Sequence, residues 1–464
     1  MKLTLAYVQR CLTGIADAGA DDVQINSVQT DSRTVTKGDL FVCIAGENFD
    51  GHEFAHMAAS KGAVAVIASQ MLDDPKAPVI MVRDTVEALG VVAACWRDMC
   101  GTKLVAVTGT AGKTTVKEML FSVVSQKFTA AKNYRNHNNQ VGLPLSMLKA
   151  DCTQDMWIME LGISKSGDME DLARVACPDL AIITNVGPGH LDGLGDVDGV
   201  TMAKTTLLKY LRQGGDAVVS MDYSSLWATA RSIVGNPVGF STSDQPEAFC
   251  HAEFIKAESD GWGRFRLRTP DGDGEFSAPF CGEHYAENLA CVAAAANKLG
   301  LSRDDVIAGV RTVQADPQRF CCKLAGDALV IDDTYNANPL SMARSIRAAV
   351  ELAGDRPLVL VLGDMRELGA EAAARHEDLG RLIKDAAPEA AFFKGDHLGD
   401  VLCGAECDVT ETTTPEEFLS QWRERGIEGG VVLFKGSRSL KMEAFANALC
   451  HELGAPVEGQ GDPK

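Results

Sequence analysis

At 464 residues the chain is too long for a single hydrophobic core and predicts about three domains of ordinary size. Its 46% hydrophobic and 23% charged residues belong to a water-soluble globular protein, and no apolar run approaches the ~18 residues of a membrane span. A net charge of −20 excludes the basic field that nucleic acid or an anionic membrane requires, so any anionic ligand has to be met by a local cluster of cations.

The opening Met1-Lys-Leu-Thr-Leu-Ala-Tyr-Val-Gln-Arg10 reads as the start of an amphipathic helix. It has neither the apolar core nor the small-residue cleavage pattern of a secretion signal, which points to the cytoplasm. Residues 1–100 mix short apolar runs, Leu40-Phe-Val-Cys-Ile44 and Ala63-Val-Ala-Val-Ile-Ala68, with helical segments, as a small α/β unit would. Gly101-Thr102 is a plausible hinge. The 14 cysteines are scattered without paired C-x-x-C units, so they read as reduced thiols, mostly in the core, and neither a zinc site nor a disulfide framework is expected.

Next, Lys103-Leu-Val-Ala-Val-Thr108 breaks into Gly109-Thr110-Ala111-Gly112-Lys113-Thr114-Thr115 and a helical stretch follows at once. The pattern is that of a phosphate-binding loop. Glycines turn successive N–H groups towards an anion, the helix N-terminus adds its positive dipole end, Lys113 reaches the outer phosphates and Thr114 is placed for Mg²⁺. The loop is short, because Val107 stands where the common form has its first glycine. The alternative is an ordinary strand-to-helix turn.

Strand-like runs then alternate with helical segments, at Trp157-Ile-Met, Leu180-Ala-Ile-Ile-Thr184 and Ala217-Val-Val-Ser220, the rhythm of a mostly parallel sheet covered on both faces. Glu160 closes one of these strands, at the sheet edge where ligands gather, and could ligate Mg²⁺; a solvated acid is the plainer reading. The next strand runs out into Ile183-Thr-Asn-Val-Gly-Pro-Gly-His190, lifting His190 above the same edge. Lys204, taken alone, reads as a solvent-facing helix lysine. After Arg319 the rhythm restarts with Ala328-Leu-Val-Ile-Asp332, Leu358-Val-Leu-Val-Leu362, Ala391-Phe-Phe393 and Gly430-Val-Val-Leu-Phe434. Asp332-Asp333-Thr-Tyr-Asn336-Ala-Asn338-Pro339 gathers acids and amides at a strand end, where turn capping competes with ligand binding. Lys435-Gly-Ser-Arg438 supplies cations suited to a carboxylate or phosphate. The last dozen residues read as a frayed tail.

Together, the phosphate loop, Asn136-His-Asn138-Asn139-Gln-Val-Gly-Leu-Pro144, Glu160-Leu-Gly162, Thr184-Asn-Val-Gly-Pro-Gly-His190, Asp332–Pro339, Leu362-Gly-Asp-Met-Arg-Glu-Leu-Gly369 and Lys435–Arg438 resemble the Mur ligases. The Asp332–Pro339 and Leu362–Gly369 strings are closest to the branch that joins D-alanyl-D-alanine to UDP-N-acetylmuramoyl-tripeptide. The resemblance implies an α/β protein of three domains. A small N-terminal domain (1–100) would hold the UDP end of the substrate through Ser32, Arg33, Asn48, Asp50 and His52. A central phosphate-loop, parallel-sheet ATPase domain (101–319) and a Rossmann-like C-terminal domain (320–464), which closes over ATP and takes the dipeptide, would follow.

The resemblance further implies an acyl-phosphate mechanism with ATP and two Mg²⁺ ions as cofactors. Lys113, His190 and Lys204 would be catalytic, and Thr114, Glu160, His190 and a carbamylated Lys204 would be metal ligands. Residues 109–115, Asn288 on the adenine side, Arg319 and Asp333 would bind the nucleotide. Asn138, Asn139, Asn336, Asn338, Lys435 and Arg438 would contact substrate, and a monomer is expected. Thr205-Thr206, Gln318 and Arg135 stand where the family usually has other residues. The competing readings are a sibling amide ligase adding one amino acid, such as a diaminopimelate- or lysine-adding Mur enzyme or a folylpolyglutamate synthetase, and a non-catalytic ATP-binding switch. Tyr335-Asn-Ala-Asn-Pro339 speaks against the sibling, and retention of Glu160, His190 and Lys204 speaks against the switch.

Overall fold

The computed structural model describes residues 3–15, 23–46, 48–134, 136–258, 261–313 and 317–455. The C-terminal stretch expected to fray lies mostly outside these, as does Arg135. Near the N-terminus four parallel strands, Val28–Gln29, Leu40–Val42, Ala65–Ala68 and Val79–Met81, form one sheet in chain order. Helix Thr85–Cys100 follows, started by the Asp84 carboxylate accepting from the N–H groups of Val86 and Glu87 and stopped by Gly101 at φ 66°.

The central sheet has nine strands. From one edge run Ala130–Lys132, Met156–Glu160, Lys103–Thr108, Leu180–Ile183, Asp216–Ser220, Val238–Ser241 and Cys250–Ala257, all parallel. The expected parallel rhythm ends there. Gly263–Thr269 and Gly272–Ala278 add an antiparallel hairpin, with Arg264, Arg266 and Arg268 alternating against buried Phe265 and Leu267. In the third sheet Cys321–Ala325 is antiparallel to Ala328–Asp332, and Gly430–Lys435, Leu358–Gly363, Ala390–Lys394 and Thr410–Glu411 continue in parallel.

Alternation along the phosphate-loop strand joins these parts. Leu104 and Ala106 enter a core shared with the N-terminal sheet, whereas Val105 and Val107 enter one shared with helices Lys113–Val124 and Glu283–Lys298 and with Leu329, Ile331 and Leu360 of the third sheet. One expectation is overturned: Cys100 and Cys152 form a disulfide across 52 residues, tying the end of helix Thr85–Cys100 to the turn after helix Gly142–Lys149. Folding brings the two thiols together, and nothing in their sequence spacing announces it. No described helix is long and apolar enough to cross a membrane.

Candidate active site

The carboxyl ends of the central strands and the face of the third domain enclose a cavity of about 370 Å³. The short glycine loop forms its floor and is held from below. Asn185 takes the Ala111 N–H on Oδ1 at 2.8 Å and returns Nδ2 to the Ala111 carbonyl at 3.1 Å, and Thr184 Oγ1 donates to the same carbonyl. Both glycines are required. A Cβ on Gly109 would lie 1.9 Å from Thr184 Oγ1, and one on Gly112, at φ 79°, would lie 2.4 Å from Asn288 Oδ1. Gly112 caps helix Lys113–Val124 without a side-chain hydrogen bond, which leaves the N–H groups of the first turn open to an anion.

Around this floor the chain concentrates cations. Lys113 Nζ donates to the Gly109 carbonyl at 2.9 Å, and burial, with Arg319 nearby, pulls its pKa down. The reading of Lys204 as solvent-facing does not hold: it is 1% exposed on helix Val197–Thr205, and burial followed by the charge of Lys113 lowers its pKa well below the usual lysine value. Thr205 and Thr206 stand where that α-helix ends and a 3-10 turn, Thr206–Tyr210, takes over, with their hydroxyls donating back to the Thr201 and Met202 carbonyls. Lys117, unforeseen from the sequence, is fully buried one turn beyond Lys113. Its Nζ donates to the Asn133 carbonyl and lies 3.9 Å from Glu160.

Glu160 is 2% exposed and accepts from Thr114 Oγ1 at 2.8 Å and Asn138 Nδ2 at 2.7 Å. Its backbone is clamped by Asn133, which exchanges two hydrogen bonds with it. A carboxylate against the loop threonine is an oxygen-donor set that suits Mg²⁺. No three His, Cys, Asp or Glu side chains converge among the described residues, so the remaining ligands would come from triphosphate and water, as this ion prefers.

Asn288 lies buried beneath Gly112 with Oδ1 unpartnered, and His284 Nδ1 beside it is likewise unpartnered. Burial, reinforced by Arg344 and Lys435, holds the His284 pKa down to about 3. Arg319 lies 3.7 Å over the Tyr335 ring and donates to Thr114 at 3.2 Å. It is flanked by Gln318 and Phe320 at φ 67° and 52°, left-handed backbone held by two residues that are not glycine. Asp333 accepts from Lys435 Nζ at 2.5 Å, Ser345 at 2.6 Å and the Phe320 N–H at 3.1 Å.

The third domain is docked. Arg344 meets Glu287 at 2.8 Å, in a buried network with Tyr223 and Asn185, and Asn338 Nδ2 reaches the Thr110 carbonyl at 3.5 Å. His190, at φ 56°, meets Glu367 of the third domain.

Several expected substrate residues are engaged in local structure. Asn139 Oδ1 accepts the Gly142 N–H where helix Gly142–Lys149 begins and Asn338 caps helix Pro339–Ala353, although both line the cavity together with Asn138 and Asn336. Lys435, also lining, is spent on Asp333 and the Asn336 carbonyl, and Arg438 lies outside the lining on Gln318 and Glu443. Ser32, Arg33, Asn48, Asp50 and His52 are not part of the cavity. Arg33 is 85% exposed beside Asp31, Asn48 is exposed, and Lys61 bridges the Ser32 and Arg33 carbonyls. His52 is committed to a turn, between Asp50 on Nδ1 and the Ser69 N–H on Nε2.

A phosphate loop with a paired carboxylate, roofed by a second α/β domain, is an arrangement that suits an ATP-dependent ligase. The family description "Mur ligase middle domain" matches residues 107–296, "Mur ligase, glutamate ligase domain" 318–438 and "Mur ligase family, catalytic domain" 24–97. The chain belongs to the Mur ligase family, whose members are ADP-forming amide ligases. It is 33% identical to the UDP-N-acetylmuramoyl-tripeptide–D-alanyl-D-alanine ligase of Escherichia coli (strain K12), over 97% of this chain and 98% of that one. Among solved structures, MurF from Acinetobacter baumannii superposes with a TM-score of 0.86 at 28% identity, covering 97% and 99% of the two chains. MurF ligase from Thermotoga maritima in complex with ADP gives 0.85 at 26%, covering 93% and 99%. A Mycobacterium tuberculosis folylpolyglutamate synthase shares the fold alone, at 15% identity and a TM-score of 0.62 over 80% and 96%.

Proposed function

We infer that this chain joins D-alanyl-D-alanine to UDP-N-acetylmuramoyl-tripeptide with conversion of ATP to ADP, giving the pentapeptide precursor of peptidoglycan. The observation that carries the reading is end-to-end likeness to ligases of that name.

Charge governs the chemistry. The tripeptide carboxylate attacks the γ-phosphorus, the bond to the β–γ bridging oxygen breaks, and ADP leaves. The dipeptide amine then attacks the acyl carbon of the resulting acyl phosphate, loses a proton, and phosphate departs. Two anions meet in the first step. Lys113, with Arg319 reaching Thr114 from the end of the central domain, supplies fixed positive charge where phosphoryl charge develops. Thr114 and Glu160 would hold one Mg²⁺, and His190 and Lys204 would serve a second; when bound, these ions screen the triphosphate and the incoming carboxylate.

Lys204 suits carbamylation, because only a neutral amine adds CO₂ and burial favours that form. The product is a carboxylate-like ligand in place of a cation. Asn288 and His284 present unpartnered polar atoms suited to the adenine base, and Asp333 stands on the nucleotide side. Residues 1–100 would hold the UDP end, 101–319 the ATP, and 320–464 would close the site and bring the dipeptide, excluding water from the acyl phosphate. On this reading the enzyme works as a monomer in the cytoplasm.

The test incubates the purified protein with UDP-muramoyl-tripeptide, ATP and either D-Ala-D-Ala or single amino acids, following phosphate release and product mass. Dipeptide-dependent phosphate release with a pentapeptide product is expected. Release with a single amino acid and none with the dipeptide would overturn the reading in favour of a sibling ligase.

A further inference from the structure

Two loops from different domains meet at the mouth of the site. Pro188-Gly-His190-Leu-Asp192 rises from the central sheet, and Met365-Arg-Glu367-Leu-Gly369 comes from the third domain. His190 Nδ1 lies 2.5 Å from Glu367 Oε2, and the Asp192 N–H approaches the Glu367 carbonyl at 3.4 Å. Gly369 lies against Asp192, where a Cβ would stand 2.6 Å from the carboxylate, and its φ of 53° suits glycine. Both partners hold left-handed backbone, His190 at φ 56° and Glu367 at φ 63°, although neither is glycine. Conformations of this kind are unfavourable for residues other than glycine and persist where the surroundings demand them.

An ionised carboxylate only accepts, so the hydrogen bond requires the imidazole to carry a proton on Nδ1 and leaves Nε2 as the nitrogen free to coordinate. We propose that Glu367 is a positioning residue for the reaction. Reaching across from the third domain, it fixes the tautomer and ring orientation of His190, so that Nε2 is offered to a cation only when the two domains are docked. The proposal rests on the assignment of His190 to a metal ion made above. It links domain closure to completion of the metal site through one side chain, the role that carboxylates behind metal-ligating histidines play generally. Glu367 is not itself one of the residues lining the cavity and meets that lining through His190.

The test has two arms on the intact enzyme. In protein labelled with ¹⁵N-histidine, His190 is identified among the nine histidines by its loss in His190→Gln, and its tautomer is read by NMR without metal. Wild type should show Nδ1–H with a bare Nε2, Glu367→Gln should keep that form through its amide oxygen, and Glu367→Ala should lose it. The Glu367 side chain is 55% exposed, so these variants should fold. In the second arm, the Mg²⁺ concentration for half-maximal rate should rise about 10- to 100-fold in Glu367→Ala and less in Glu367→Gln, with the KM for ATP at saturating Mg²⁺ little changed. An unaltered tautomer in Glu367→Ala, or a Mg²⁺ dependence that responds to His190→Gln but not to Glu367→Ala, refutes the role of Glu367. A tautomer that follows Glu367 while Mg²⁺ dependence ignores His190→Gln refutes instead the metal assignment on which the proposal stands.

Discussion

Replacing Asp333 by Asn tests how the third domain carries its buried charge. Lys435 is 2% exposed, and its Nζ lies 2.5 Å from Asp333 Oδ2, with the Asn336 carbonyl as its other acceptor. Burial already pulls the Lys435 pKa below the ordinary lysine value, and Asp333 is the main influence holding it up. Breaking a buried pair by removing one partner costs about 3–5 kcal/mol. The cost has a ceiling, because the lysine can shed its proton. Neutralising an ordinary lysine at pH 7.5 requires about 4 kcal/mol, so the loss should be ~3–4 kcal/mol near neutrality. The sign with pH follows: the mutant's folded state holds its Lys435 proton less tightly than the unfolded chain, so its stability rises with pH. The difference from wild type should therefore shrink by up to about 1.4 kcal/mol per unit between pH 7 and 9. Urea unfolding can follow the third domain selectively, since buried Trp422 is the only tryptophan after residue 320 and the other four can be replaced by Phe. A loss under ~1 kcal/mol, or one that grows with pH, would refute the reasoning.

Lys204→Ala should lose roughly 100-fold or more in kcat, as expected where about 3 kcal/mol of transition-state stabilisation goes, and regain part of it with added acetate or formate. Full activity in that variant would remove the metal-ligand role. His284 is held neutral with its pKa at about 3, so its contribution to stability is fully present above the unfolded value near 6.5 and is lost as pH falls towards 3. His284→Gln should flatten acid unfolding in that window, measured by circular dichroism; an unchanged profile would contradict the burial argument. Cys100→Ser should lower the stability of oxidised protein by up to about 4 kcal/mol, the loop-closure value for a 52-residue span, and should leave reduced protein nearly unaffected. Peptide mapping without reductant that finds both thiols free would dispose of the bond.

Much of the floor of the site was legible because its chemistry is local. A strand, Lys103–Thr108, runs straight into two glycines, a lysine and a threonine between Gly109 and Thr114, and Glu160 ends the neighbouring strand by ordinary apolar patterning. What escaped depends on distant contacts. The burial of Lys204 is decided by what packs on helix Val197–Thr205, and the sequence of that helix is equally compatible with an exposed lysine. Cys100 and Cys152 meet only because two helices pack side by side. The hairpin at Gly263–Ala278 could have been found. Arg264-Phe-Arg-Leu-Arg268 alternates with period two and Asp271-Gly272 marks the turn, but the prevailing α/β rhythm masked it.

The same contrast separates the two classes of polar side chain lining the cavity. Asn338 caps helix Pro339–Ala353 and Asn139 takes the Gly142 N–H at the start of another helix, so each has a local task that a turn-rich sequence alone would demand. Asn288 Oδ1, His284 Nδ1 and Arg319 Nε are buried with no partner in the protein. Leaving a buried polar atom unpaired costs about 1–3 kcal/mol, and three such atoms lie on residues lining one cavity beside the phosphate loop. Folding alone gives no reason for that concentration, whereas the nucleotide of the proposed reaction would bring polar partners to this cavity. The unpaired atoms, more than the loop motif, are therefore what argue that this cavity is built for a ligand.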